Sequence, residues 1–160
     1  MLRLLKQTES ILIKDDPVRP CFTYEWRTAS GREVWVWEER DTVEAVICVA
    51  YTNEVPTSEW ELDLFSQAAC QDEQQGTVAV FYTVWSYTPG AGRTLVNELA
   101  LHLRRSRPLL QRWVTLSPLT EMATRFHIKN GAQLLQVNST TQNFDYTERV
   151  RELAASHYSD

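Results

Sequence analysis

The sequence lacks the features that mark several large classes of protein. It has no apolar run near the roughly 18 residues that cross a bilayer, so we expect no membrane-spanning segment. Five glycines and six prolines in 160 residues are too few for a collagen-like, low-complexity or largely disordered chain. These absences leave a folded globular protein as the expectation.

Cysteine and histidine are also scarce. The three cysteines, Cys21, Cys48 and Cys70, are widely spaced and form no Cys-x-x-Cys pair, so we expect free thiols rather than disulfides. The three histidines are scattered along the chain and offer no metal-ligand spacing. We therefore expect no metal site.

An excess of positive charge is absent as well. The chain has 16 Lys and Arg against 21 Asp and Glu, a net charge of −5, which argues against nucleic-acid binding. The first six residues (MLRLLK) become charged too early for a secretory signal peptide, so the expected location is the cytoplasm. With 43% hydrophobic residues, we expect a single domain over 1–160, with its core at about 20–146 and a tail at 147–160.

The residue pattern predicts strands followed by alternating strands and helices. Alternation of apolar and polar residues predicts strands at 22–27 and 33–38, joined by a hairpin turn over 28–31. The nearly continuous apolar run 43–51 predicts a central strand. Further predicted segments are a helix at 59–70, a strand at 77–85, a helix at 93–105, a strand at 113–116, a helix over 118–129, strands at 132–137 and 142–146, and a short helix within 147–160. We expect an α/β fold with a mixed sheet.

A glycine-containing turn links the predicted strand at 77–85 to the helix at 93–105. Its residues 89–92 (PGAG) allow close backbone approach, and the first N–H groups of the helix are unpaired there. Together with the helix dipole and Arg93, they suit a pyrophosphate. The alternative is a tight connection that binds nothing. The turn is not a Walker loop, because no Gly-Lys-Ser/Thr follows it.

Two segments resemble the GNAT superfamily of acyl-CoA-binding proteins. Residues 89–96 (PGAGRTLV) look like its coenzyme-A pyrophosphate loop, Gln/Arg-x-x-Gly-x-Gly/Ala, with Tyr87 at the Gln/Arg position. Residues 123–132 (ATRFHIKNGA) resemble the helix whose tyrosine usually faces the coenzyme-A sulfur, a position that His127 occupies here. The resemblance implies a GNAT-like sheet splayed between the strands that end near Trp85 and Leu116. It also implies coenzyme-A contacts from Tyr87, Gly90, Ala91, Gly92, Arg93 and Thr94.

Within that superfamily, the chain resembles the catalytic domain of malonyl-CoA decarboxylase over roughly residues 40–146. The matching segments are 45–55, 79–84, 115–118, 126–138 and 143–146, and the Phe-His-x-x-Asn-Gly-Ala stretch is the most specific. The resemblance implies that Ser117 and His127 are catalytic and that Tyr146 supports them. The family's insert between the serine and the histidine has no counterpart, and its active-site glutamate falls on Gly90.

The same residues also have structural interpretations. Ser117 precedes Pro118 at the start of a helical pattern, where serine serves as an N-cap and proline fits the first turn. In an unbroken helix over 118–129, Ser117 and His127 would lie about 15 Å apart, too far to share a hydrogen bond. They could still flank one thioester. His127 is either a core residue or, with an ordinary pKa near 6.5, a group that hands over a proton at neutral pH.

Three functions remain open from the sequence. A decarboxylase would release carbon dioxide from a malonyl thioester and stabilise the resulting enolate. An acetyltransferase would let an amine acceptor attack acetyl-CoA, with His127 protonating the thiolate. The third is a coenzyme-A-binding module without catalysis, which the missing glutamate and insert favour. The decarboxylase ranks first, because the Ser, His and Tyr positions match that family.

Overall fold

A mixed β-sheet of eight strands lies at the centre of the computed structural model, which describes residues 1–73 and 75–159. The strand order is β1-β2-β3-β4-β5-β8-β6, and β7 also pairs with β8. The strands are β1 (Leu2–Leu4), β2 (Glu33–Glu39), β3 (Thr42–Thr52), β4 (Val78–Ser86), β5 (Arg112–Thr115), β6 (Ser117–Pro118), β7 (Gln133–Val137) and β8 (Thr141–Asp145). All pairings are antiparallel except that of β4 with β5.

Five α-helices and one 3-10 helix (Gln7–Asp15) accompany the sheet in the described part of the chain. The α-helices are α1 (Tyr24–Thr28), α2 (Glu59–Cys70), α3 (Ala91–Ser106), α4 (Glu121–Lys129) and α5 (Thr147–Ser159). None of these described helices is long and apolar enough to cross a membrane. The α/β fold with a mixed sheet is thus confirmed, as are the helix at 59–70 and the C-terminal helix.

Helices and the N-terminal segment cover the two faces of the sheet. On one face, Leu95 and Leu99 of α3 and Val150 of α5 pack against the strands. On the other face, the core includes Leu62 of α2 and Ile13 of the 3-10 helix. The central strands β3 and β4 are therefore buried on both sides, which explains their nearly continuous apolar sequences.

The predicted strand at 22–27 is wrong, because these residues enter α1. Thr23 is the N-cap, and its hydroxyl accepts a hydrogen bond from the Trp26 N–H. Phe22 and Trp26 are four residues apart, and their ring centroids lie 4.6 Å from each other. Both rings also contact Tyr82 of the sheet. The alternating aromatic residues at 22, 24 and 26 are equally compatible with a strand, which explains the wrong prediction. The predicted hairpin turn over 28–31 is also wrong, because Thr28 ends α1 and residues 29–32 connect this helix to β2.

The sheet diverges between β4 and β5. Their parallel pairing runs from Val78 with Arg112 to Phe81 with Thr115, and β4 then continues to Ser86. A bulge at Tyr82 accompanies this divergence, because Cys48 of β3 pairs with Thr83 whereas Val49 pairs with Phe81. We call the resulting gap, between residues 82–86 and residues 115–117, the strand opening. The splay implied by the GNAT resemblance is present.

Candidate functional site

The loop between β4 and α3 has the geometry of an anion-binding turn. Gly90 precedes the helix with φ of +84°, a left-handed conformation that favours glycine. The Ala91 N–H donates to Thr88, and the Thr94 N–H donates to the Gly90 carbonyl. No carbonyl among the described residues accepts the N–H groups of Gly92 or Arg93. These two donors are free for a ligand at the positive end of the helix dipole.

The side chains of this loop have distinct surroundings. Arg93 is exposed at the start of α3, whereas the Thr94 hydroxyl donates to the Gly90 carbonyl. Tyr87 donates its phenolic proton to Asp15 at 2.8 Å and accepts from Trp85. Its hydroxyl therefore points at the N-terminal segment.

A cleft of about 480 Å³ opens beside the loop. Gly90 and Thr94 line one side of it, and Trp37, Arg40 and Glu44 of the β2–β3 hairpin line the other. The loop is therefore accessible to a ligand from this side.

His127 and Tyr146 form a hydrogen-bonded pair at the base of the strand opening. His127 lies in the last turn of α4, is 6% exposed, and has its Nδ1 atom 2.7 Å from the Tyr146 Oη. The Tyr146 ring contacts Phe81, the last β4 residue that pairs with β5. The ring of Phe144 covers the imidazole, with their centroids 5.1 Å apart.

Burial keeps this pair uncharged. It lowers the pKa of His127 to about 4 and raises the pKa of Tyr146 above its ordinary value. His127 is thus a neutral imidazole at pH 7. The expectation of an ordinary pKa near 6.5, with a proton exchanged at neutral pH, is wrong for the unliganded protein.

Ser117 is not the N-cap of α4, contrary to the prediction. It lies in β6 opposite Gln142 of β8, and the Gln142 amide donates to the Pro118 carbonyl. The helix begins at Glu121, and its N-cap is Thr120, whose hydroxyl accepts a hydrogen bond from the Ala123 N–H. Pairing with β8 holds residues 117–118 extended. The 15 Å separation along a helix therefore does not apply to Ser117 and His127.

Thr115 and Phe144 connect Ser117 to His127. Ser117 is 3% exposed, and its hydroxyl lies 2.8 Å from the Thr115 hydroxyl. Thr115 also accepts a hydrogen bond from the main-chain N–H of Phe144, whose ring contacts His127. Among the described residues, no hydrogen bond joins Ser117 directly to His127. Both groups therefore belong to one cluster around the base of the strand opening.

The comparisons with known proteins identify the fold. No family model matches the chain, and no curated protein sequence matches it. Among solved structures, a malonyl-CoA decarboxylase from Agrobacterium vitis is 24% identical over 79% of this chain and 35% of that chain, with a TM-score of 0.61. The malonyl-CoA decarboxylase from Rhodopseudomonas palustris is 15% identical over 99% of this chain and 62% of that chain, with a TM-score of 0.68.

A third structure is similar over nearly its entire length. It is the GphF GNAT-like decarboxylase in complex with isobutyryl-CoA, 13% identical over 91% of this chain and 97% of that chain, with a TM-score of 0.66. The chain has the GNAT fold. Acetyltransferases are also among the similar structures. The chain spans 35% and 62% of the two malonyl-CoA decarboxylases, so its likeness to them covers only part of those proteins.

Asn143 is a polar residue of this GNAT domain that sequence reasoning assigned no role. It is fully buried, and its amide nitrogen donates to the carbonyls of Pro56 and Thr115. Its oxygen accepts from Gln136 and Asn138. Asn143 thereby holds the end of β5 against β8, which positions the Thr115 carbonyl. The only sequence signal was the Asn-x-x-Tyr spacing that ends at Tyr146.

A buried ionic cluster at the opposite wall was also missed. Asp16 accepts hydrogen bonds from Thr83 and from Arg27 at 2.7 Å, and neither partner of the ion pair is exposed. Arg19 donates to the main-chain carbonyl of Tyr82, the first β4 residue beyond the pairing with β5. Asp15 and Asp16 thus anchor the N-terminal segment beside the strand opening, through Tyr87 and Thr83 respectively.

One cysteine belongs to this ionic cluster, because the Cys48 Sγ accepts a hydrogen bond from the Arg27 guanidinium at 3.4 Å. All three cysteines are free, as predicted, with Cys21 and Cys70 exposed and Cys48 buried. Burial raises the pKa of the Cys48 thiol to about 11, so it stays protonated. In the described part of the chain, no group of three or more His, Cys, Asp or Glu residues is arranged to hold a metal ion.

Proposed function

We propose that the protein is an enzyme that binds an acyl-CoA in the strand opening and decarboxylates a malonyl-type acyl group. The observation that carries this proposal is the buried, uncharged His127–Tyr146 pair at the base of the opening, with Ser117 in the same cluster. These residues combine hydrogen-bond donors with an apolar wall, which is what a developing enolate requires.

The pyrophosphate of coenzyme A would bind at the start of α3. The free N–H groups of Gly92 and Arg93 and the Arg93 guanidinium supply donors and positive charge there. Gly92 packs against Phe126, because a Cβ atom placed on Gly92 would lie 3.5 Å from that ring. Phe126 precedes His127, so one contact links the phosphate end of the site to the reacting end.

Decarboxylation breaks the bond between the carboxylate carbon and the α-carbon of the acyl group. Carbon dioxide leaves, and the electron pair passes into the thioester as an enolate whose negative charge lies largely on the oxygen. A donor from His127 or Ser117 stabilises that oxygen, and the α-carbon then takes up a proton to give the acyl product. The rings of Phe126 and Phe144 exclude water around His127, which strengthens these hydrogen bonds.

The similarity to GphF supports the view that a domain of this size is sufficient for an acyl-CoA decarboxylase. That protein is a GNAT-like decarboxylase of nearly the same extent, and it was solved with isobutyryl-CoA bound. An acyl-CoA-binding decarboxylase can therefore be built within one GNAT domain.

A second candidate is transfer of an acetyl group from acetyl-CoA to an amine. It is favoured by the similar acetyltransferase structures, one of which was solved with acetyl-CoA. In that case His127 would protonate the departing thiolate.

One chromatographic assay with three arms separates these functions. The purified protein is incubated with malonyl-CoA alone, with acetyl-CoA alone, and with acetyl-CoA plus a library of amines. We expect acetyl-CoA to form in the first arm without any amine. Turnover only in the third arm would identify an acetyltransferase. Binding of both thioesters by calorimetry without any turnover would identify a non-catalytic coenzyme-A module.

A further inference from the structure

Three buried side chains form a hydrogen-bond chain between the end of α4 and the end of β8. The Asn130 amide nitrogen donates to the Tyr146 hydroxyl at 3.4 Å, and that hydroxyl lies 2.7 Å from Nδ1 of His127. Asn130 and Tyr146 are 2% and 1% exposed. These side chains are thus shielded from water, and the Asn130 side-chain oxygen has no hydrogen-bond partner among the described residues.

The available donors and acceptors determine the direction of each hydrogen bond among these three side chains. An amide nitrogen can only donate, so the Tyr146 oxygen is the acceptor in its bond with Asn130. Among the described residues, the Tyr146 hydroxyl has no hydrogen-bond partner other than Asn130 and His127. If Nδ1 carried the imidazole proton, the buried phenolic proton would have no acceptor. The phenol therefore donates to Nδ1, and the neutral imidazole carries its proton on Nε2.

The backbone at the end of α4 holds Asn130 in register with His127. The Asn130 N–H donates to the Phe126 carbonyl, and the Ala132 N–H donates to the His127 carbonyl. Gly131 makes this reversal possible with φ of +95°. The two side chains are consequently attached to one rigid helix end, which suits a positioning role.

We propose that Asn130 and Tyr146 are positioning residues that hold His127 in its Nε2–H form, so that it presents a hydrogen-bond donor to the thioester oxygen of the acyl-CoA. The second half of this inference rests on the proposed function. Among the described residues, the His127 ring makes its hydrogen bond through Nδ1, so Nε2 is available to a ligand. In this form His127 cannot act as a base toward Ser117 through Nε2. Its contribution is to stabilise the enolate oxygen.

Nitrogen NMR of the ligand-free protein tests the tautomer without reference to activity. With ¹⁵N-labelled histidine, and with His127→Asn to assign the signals, we expect a protonated Nε2 and an unprotonated Nδ1 in His127. In Asn130→Asp, a carboxylate oxygen replaces the donating nitrogen and accepts the phenolic proton. Tyr146 must then accept from His127, so Nδ1 becomes protonated. The control Asn53→Asp, on the exposed surface, leaves the tautomer unchanged.

Each result decides one part of the inference. A protonated Nδ1 in the unaltered protein overturns it, and this measurement requires no variant to fold. An unprotonated Nδ1 that persists in folded Asn130→Asp shows that Asn130 does not set the tautomer. Addition of acetyl-CoA is expected to shift the Nε2 proton signal, and a constant signal at saturation contradicts the donor role. Absence of acyl-CoA binding would overturn the proposed function while the ligand-free tautomer result stands.

Discussion

Buried polar side chains lie on both sides of the strand opening. On one side, His127 and Tyr146 are neutral at pH 7 because burial lowers the pKa of the imidazole and raises that of the phenol. On the other side, Asp16 and Arg27 form a buried ion pair at 2.7 Å. Asp16 gains further stabilisation from the N–H groups of Val18 and Arg19. The opening therefore lies between a neutral, donor-bearing wall and an ion-paired wall.

Asp16→Asn is expected to destabilise the protein by about 3–5 kcal/mol, because it leaves a buried guanidinium without its counterion. Urea denaturation at pH 7 measures this change. The control is Glu148→Gln, which removes an ion pair with Arg151 in which both side chains are more than half exposed. That loss should stay below about 0.5 kcal/mol. Similar losses in the two variants would show that the Asp16–Arg27 pair is not a specific source of stability.

At the scale of secondary structure elements, α3 and α4 carry the two ends of the proposed site. The start of α3 presents free N–H groups, and the end of α4 presents His127 and Asn130. Gly92 brings these helices into contact through Phe126. A ligand that spans the strand opening would therefore touch both elements.

Arg93→Gln is expected to weaken acetyl-CoA binding by about 1 kcal/mol, roughly fivefold, because one exposed positive charge at the phosphate end is lost. Calorimetry at two salt concentrations measures this change, and the variant should show less salt dependence than the unaltered protein. Arg151→Gln on α5 is the control and should bind normally. Equal affinity of the unaltered protein and both variants for acetyl-CoA would show that its phosphates do not bind beside Arg93.

Thr120→Ala is expected to lower the free energy of unfolding by about 1 kcal/mol, because Thr120 supplies the N-cap of α4. Thr120→Ser keeps the hydroxyl and should retain most of the stability. Ser117→Ala should leave the cap intact and reduce turnover of malonyl-CoA more than stability. A larger loss of stability in Ser117→Ala than in Thr120→Ala, measured by urea denaturation, would indicate that Ser117 is the N-cap.

At the scale of the whole molecule, local periodicity predicted the central elements well. Local sequence patterns predicted the helix at 59–70 and the strands at 43–51 and 77–85. Each of these elements buries its apolar residues in the core, so burial is visible in the local sequence. The site was predicted less completely. Ser117 was assigned to a cap because its pairing with Gln142, 25 residues away, leaves no local signal. The hydrogen bonds of Asp16 with Thr83 and of Arg19 with the Tyr82 carbonyl likewise join segments more than 60 residues apart.

The stability of the whole protein should depend on pH through His127. Its pKa is about 4 in the folded protein, against an ordinary value of 6.5. Between these values the unfolded chain binds one more proton, so stability is full above pH 6.5 and declines as the pH falls toward 4. From pH 7.5 to pH 5, the decline due to His127 is about 2 kcal/mol. The hydrogen bond from Arg3 lowers the pKa of Glu9 to about 2. Glu9 therefore changes the stability only below about pH 4.5, outside the range from pH 5 to pH 7.5.

Urea denaturation at these two pH values measures the effect. His127→Asn should remove most of the decline, whereas His102→Asn, on α3, should retain it. An unchanged decline in His127→Asn would assign it to other groups.

The most direct test of the proposed enzyme is the rate at which it converts malonyl-CoA to acetyl-CoA without an amine. We predict turnover by the unaltered protein and by His102→Asn, and a rate at least about 10²-fold lower in His127→Asn, the scale expected for one positioned donor in a water-excluded site. All three proteins should bind acetyl-CoA. Intact malonyl-CoA after prolonged incubation with the unaltered protein, or equal rates with His127→Asn, would contradict the account.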